Sequence, residues 1–128
     1  MDHVYAPRAA VALVDDDPAV RQALSFALET AGVAVAAFAD AESALAAPDR
    51  LFWRCVVLDQ RLPGMSGVDL LEHLRAAGSS AACVLITTHP SGEVRRRAKA
   101  AGAEIMEKPL LDNRLTQSVL HWVGLHAE

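Results

Sequence analysis

Cys55-Val56-Val57-Leu58-Asp59 is a run of four apolar residues closed by an acid, and Gln60-Arg61-Leu62-Pro63-Gly64 follows at once as a loop. The run is too short for a helix and shows no polar alternation, so it reads as a strand buried on both faces. The same pattern recurs on either side of it. Upstream, Ala10 to Val14 runs into Asp15-Asp16-Asp17, and Val33 to Phe38 is a weaker second run. Downstream, Cys83-Val84-Leu85-Ile86 ends on Thr87-Thr88, and Glu104-Ile105-Met106 comes shortly before Lys108-Pro109.

Helical segments separate these strands. Asp17-Pro18 reads as an N-cap with proline at the first helical position. Val20, Leu24, Leu28 and Ala31 then recur at helical spacing until Gly32 stops the helix. Asp40 caps a short helix through about Ala47, broken by Pro48-Asp49-Arg50. Ser66 and Asp69 have capping-box spacing before a helix that turns Val68, Leu71 and Leu74 inward and ends at Gly78. A polar helix runs from about Ser91 to Ala101, and a last one from about Asp112 to Val123 with Leu115, Val119 and Trp122 as its apolar stripe. Five strand–helix units in one chain predict an α/β fold, a doubly wound parallel sheet with helices on both faces. The expected domain spans 8–126, with residues 1–7 as an N-terminal extension.

The chain has 128 residues, 52% of them hydrophobic, which suits one ordered domain with a single core. Twelve basic against sixteen acidic residues give a net charge of −4, so no direct nucleic-acid binding is expected. No membrane span or signal-peptide core is apparent, and a cytoplasmic location is the expectation. Cys55 and Cys83 lie in strand runs and form no metal-binding spacing, so they read as reduced core residues. Arg95, Arg96, Arg97 and Lys99 form a basic cluster on the fourth helix, either a solvated face with a Glu93–Arg97 pair or a docking surface. His121 and His126, without acidic or cysteine partners at ligand spacing, read as helix-end histidines.

In such a sheet the binding crevice lies outside the carboxyl ends of the strands. That edge gathers Asp15, Asp16 and Asp17 from the first strand, Asp59 from the third, Thr87 and Thr88 from the fourth, and Lys108 beyond the fifth. Asp17 is already accounted for as a helix cap. Carboxylates this close repel one another, and a divalent cation removes the conflict. Acids with room left for water suit Mg²⁺, which accepts phosphate oxygens as further ligands. With an ammonium and a hydroxyl nearby, the set describes a phosphoryl site, in which a carboxylate can itself be the nucleophile.

Val14-Asp15-Asp16-Asp17, Leu58-Asp59-Gln60-Arg61-Leu62-Pro63-Gly64-Met65-Ser66-Gly67, Thr87 and Glu107-Lys108-Pro109, in this order and at these intervals, resemble the receiver domain of bacterial two-component response regulators. The resemblance covers about Val11 to Val123, and looks most like the receivers of the nitrogen-fixation-regulator (FixJ/LuxR) type. It implies a flavodoxin-like sheet of order 2-1-3-4-5. It implies Asp59 as phosphoacceptor for a phosphohistidine on a sensor histidine kinase or histidine phosphotransfer protein, with Mg²⁺ (or Mn²⁺) as cofactor. Asp16, Asp59 and the backbone carbonyl of Arg61 match the direct metal contacts, and Asp15 matches the acid acting through water. Lys108 matches the lysine that pairs with phosphoryl oxygens, and its bond to Pro109 is expected to be cis. Thr87 matches the switch hydroxyl. Phosphorylation then reshapes the face of the fourth helix, fifth strand and fifth helix, which meets an output protein or a homodimer mate.

Three positions depart from the family pattern: Ile105 stands where an aromatic residue is usual, Thr88 where Ala or Gly is common, and Gln60 where an apolar residue is common. Ile105 and Thr88 keep, as the alternative, a degenerate receiver acting as a phosphorylation-independent binding module, against which the intact acids and Lys108 weigh. An aspartate-nucleophile phosphatase would place a second acid where Arg61 stands. A flavin module would need a Ser/Thr/Gly-rich loop where Asp15-Asp16-Asp17 stands. The chain ends shortly after the fifth helix, so the expectation is a stand-alone receiver or one excised from a longer regulator. It is expected to catalyse only its own phosphorylation and dephosphorylation.

Overall fold

The computed structural model describes residues 9–110 and 112–124. The ends of the expected domain and His126 lie outside the described residues. Five strands, β1 (Val11–Val14), β2 (Val35–Phe38), β3 (Cys55–Asp59), β4 (Ala82–Thr87) and β5 (Ala103–Glu107), form one parallel sheet in the order β2-β1-β3-β4-β5. Helices α1 (Pro18–Thr30), α2 (Ala41–Leu45), α3 (Gly67–Ala76), α4 (Gly92–Ala100) and α5 (Arg114–Val123) connect and cover them, with a 3₁₀ turn at Arg50–Phe52. The expected doubly wound sheet of order 2-1-3-4-5 is what the chain adopts.

Alternating strand residues supply two cores. Ala12, Val14, Val56, Leu58, Cys83 and Leu85 face α2, α3 and α4, meeting Ala44, Leu71, Leu74 and Ala98. Val11, Leu13, Cys55, Val57, Val84 and Ile86 face α1 and α5, meeting Leu28, Leu115, Val119 and Val123. This two-sided burial is why the central strands carry no polar alternation. Both cysteines are buried and free, and burial pushes their thiols up to about 12, so neither is a nucleophile at neutral pH.

The helix signals work as read. The Asp17 side chain accepts from Ala19 N and Val20 N ahead of Pro18. Ser66 and Asp69 form a complete capping box. β2 starts two residues later than the apolar run, because the Val33 amide donates to Leu28 O in the cap that ends α1 at Gly32 (φ +99°).

Three expectations need correction. Trp122 is not core: it is 48% exposed, and Val123 is buried in its place. The inward stripe of α5 steps by four, Leu115, Val119, Val123, which rotates Trp122 outward. Ala31 and Val20 also lie exposed at the ends of α1, whose buried contact centres on Leu28. Arg97 does not pair with Glu93 on its own helix; it reaches α3, where its guanidinium bonds Asp69 and Glu72 at 2.6 Å each. Among the described residues no helix is long and apolar enough to cross a membrane.

Candidate functional site

The carboxyl edge of the sheet forms a cleft of about 440 Å³ lined by Asp15, Asp16, Asp59, Arg61, Thr87, Thr88, His89 and Lys108, among others. β1 delivers Asp15 and Asp16, β3 delivers Asp59, β4 delivers Thr87, and the turn after β5 delivers Lys108. Asp15, Asp59 and Thr87 are buried, while Asp16 is exposed. Asp15, Asp16, Asp59, Arg61, Thr87 and Lys108, the site residues expected from the sequence, therefore line one cleft.

The geometry is that of an acidic cup with a cation on its rim. One carboxylate oxygen from each of Asp15, Asp16 and Asp59 lies within 4.8 Å of the others. Lys108 Nζ donates to Asp59 Oδ2 at 3.3 Å, and the Arg61 amide donates to Asp59 Oδ1 at 3.3 Å. Lys108 is set in place by its own amide, which donates to Thr87 O at 2.9 Å, and the Lys108–Pro109 bond is cis. Arg21 Nη1 donates to Asp15 O at 2.7 Å and steadies the turn after β1.

Electrostatics favour a cation here. Burial raises the Asp15 carboxyl above the usual carboxylate range, and the Asp59 charge adds to the rise. The Asp17 amide, at 2.9 Å from Asp15 Oδ1, and Lys108 oppose it. Three acids converging on a space open to water fit a divalent ion that prefers oxygen ligands and retains waters. Asp17 takes no part, since its carboxylate is turned to the α1 amides.

Three supporting residues carried no strong sequence signal for this role. A Cβ on Gly67 would sit 2.5 Å from Asp59 O and 2.9 Å from Leu85 Cδ1, so the start of α3 presses directly on the acceptor strand. Gln60 bonds that same helix start through its side chain. His89, two residues after Thr87, has φ +49°, the one positive value outside glycine among the described residues. Ile105 is half-buried and packs in the core beneath α4.

A model of the response regulator receiver domain matches residues 11–120. Transcriptional regulatory protein FixJ of Bradyrhizobium diazoefficiens is 37% identical over 118 residues, covering 91% of this chain and 54% of that protein. The chain thus spans about half the length of the curated relatives of this kind that it matches. Among solved structures, a CheY-like response regulator receiver domain protein from Methanospirillum hungatei aligns with TM-score 0.81 at 27% identity, over 89% of this chain and 92% of that one. Full-length FixJ from B. japonicum aligns with TM-score 0.79 at 34% identity, over 93% of this chain and 59% of that one. Sequence, topology and the meeting of the acids with Lys108 agree: the chain belongs to the response regulator receiver domain family of two-component signalling.

Proposed function

We propose that Asp59 accepts a phosphoryl group from the phosphohistidine of a sensor histidine kinase or phosphotransfer protein. An Asp59 oxygen attacks phosphorus in line, forming an O–P bond as the P–N bond to the histidine breaks. The observation that carries this reading is the convergence of Asp15, Asp16 and Asp59 opposite Lys108. Asp16, Asp59 and the Arg61 carbonyl are the residues to hold Mg²⁺ (or Mn²⁺), with Asp15 acting through water. The ion supplies charge balance for the phosphoryl oxygens. Lys108 presents its ammonium to those oxygens, and the Thr87 hydroxyl turns to donate to them. Water entering the open cleft then hydrolyses the acyl phosphate and returns Asp59 to its carboxylate.

The added charge and acceptor oxygens at Asp59 draw Thr87 and Lys108 inward. The output face of α4, β5 and α5 then shifts and meets an output protein or a second copy. Family membership and the relatives' role as regulators support a cytoplasmic phosphoprotein of this kind. A specific observation favours a second reading: Thr88 lines the cleft where a small residue is common, and Ile105 replaces the aromatic, as a phosphorylation-independent binding module tolerates.

Acetyl phosphate with Mg²⁺ separates the two. Intact-mass measurement is expected to show gain of one phosphoryl group in the wild type and none in Asp59→Asn. An unmodified wild type leaves the binding-module reading.

A further inference from the structure

Gln60 directly follows Asp59, and its hydrogen bonds all run to the elements around the acceptor. Its amide donates to Ile86 O on β4 at 2.9 Å, and its carbonyl accepts from Gly67 N at 3.0 Å. Its side-chain Oε1 accepts from Val68 N at 2.8 Å. Gly67 and Val68 open α3, and the first amides of a helix have no partner within it. One residue therefore ties the end of β3 both to β4 and to the first turn of α3. The Gly67 N–Gln60 O bond also closes the 60–67 loop at its base. That loop carries Arg61, whose amide donates to Asp59 Oδ1.

The side-chain bond has no ready substitute. Val68 is fully buried, so water does not replace Gln60 at its amide. The apolar residue common at this position would leave that donor unsatisfied. The absence of a Cβ at Gly67 lets the helix start press on Asp59 O, so any movement of the first turn is felt at the acceptor.

We propose that Gln60 is a positioning residue: its side-chain amide staples the 60–67 loop to α3 and so holds Asp59 and the Arg61 carbonyl in register for a divalent cation. This rests on the phosphoacceptor reading above. Gln60 does not contact the cation; it stands one peptide bond from each of two residues that do. Groups that orient metal ligands through hydrogen bonds typically contribute about 10–100-fold to metal affinity. Coupling is reciprocal, so cation binding holds the Val68 amide closed in return.

Two measurements test this: calorimetric titration of Mg²⁺ into wild type and Gln60→Met, and hydrogen exchange of the Val68 amide in the wild type with and without Mg²⁺. Gln60→Met is expected to bind Mg²⁺ about tenfold more weakly, yet to reach the wild-type extent of acetyl phosphate labelling once Mg²⁺ saturates. Val68 exchange is expected to slow when Mg²⁺ is added, a readout that stands even if the variant does not fold. Unchanged Mg²⁺ affinity in Gln60→Met, or Val68 exchange indifferent to Mg²⁺, overturns the inference and leaves the phosphoacceptor reading intact. An unlabelled Gln60→Met at saturating Mg²⁺ also overturns it, by placing Gln60 in the transfer step. A wild type that binds no Mg²⁺ overturns both.

Discussion

Helices α3 and α4 lie on the same side of the sheet, each capped by a serine, Ser66 and Ser91, yet they are held by different forces. α3 buries Gly67, Val68, Leu70, Leu71 and Leu74. α4 buries Ala98 alone. Val94 packs partly buried against the same core, and α4 is further held by charge: Arg95 on Glu107 at 3.2 Å, and Arg97 on Asp69 and Glu72. These pairs are a third to a half exposed, where ion pairs contribute about 0–1 kcal/mol. α3 is therefore anchored by burial and α4 more lightly held, which makes α4 the element that the proposed phosphorylation is expected to displace.

Leu71→Ala on α3 removes a fully buried side chain and is expected to cost about 2–5 kcal/mol in urea unfolding. Val94→Ala on α4 is expected to cost far less, and equal losses would break the contrast. Gly67→Ala comes next, at about 1–3 kcal/mol, because its Cβ meets backbone at Asp59 O. The same variant is expected to slow phosphoryl labelling, read by intact mass. Ser66→Ala is expected to lower global stability by about 1 kcal/mol. Ser91→Ala is expected instead to speed amide exchange within α4 alone.

The smallest effect is the most diagnostic of a charge-held helix. Hydrogen bonding to Arg97 lowers the Asp69 and Glu72 carboxyls below their usual range. Both are depressed in the folded state, so their stabilisation is complete above the ordinary carboxylate range. It disappears as pH falls through the lowered folded values. The melting difference between wild type and Arg97→Gln is therefore expected to be small at neutral pH, and to shrink in acid and in high salt. A difference indifferent to both would mean that Arg97 acts by packing.

The same contrast governs what was legible in the sequence. The parallel α/β sheet, the capping box and the meeting of Asp15, Asp16, Asp59, Thr87 and Lys108 are readable from local pattern and from where a parallel sheet places its strand ends, while the strand order 2-1-3-4-5 comes with the resemblance to receiver domains. The Arg97 pairing was not, since its partners lie 28 and 25 positions away on another helix. Within-helix spacing pointed to Glu93 instead. Trp122 was misplaced because steps of three and four both fit an amphipathic helix, and only packing chose the Val123 phase. Trp53, whose ring packs at a 54° tilt 5.6 Å from that of Phe38 in the core, sits outside any strand and gives no periodic signal. Gln60 looked like a departure from pattern, because a side-chain bond to a helix start eight residues on has no signature in composition.

Backbone amide spectra recorded with Mg²⁺, before and after beryllofluoride, test most directly whether charge at Asp59 moves the lightly held helix. The account predicts shifts at Thr87, Thr88 and through α4 and β5, with Leu70, Leu71 and Leu74 on α3 unmoved. Spectra that do not change, or changes confined to α3, would contradict it.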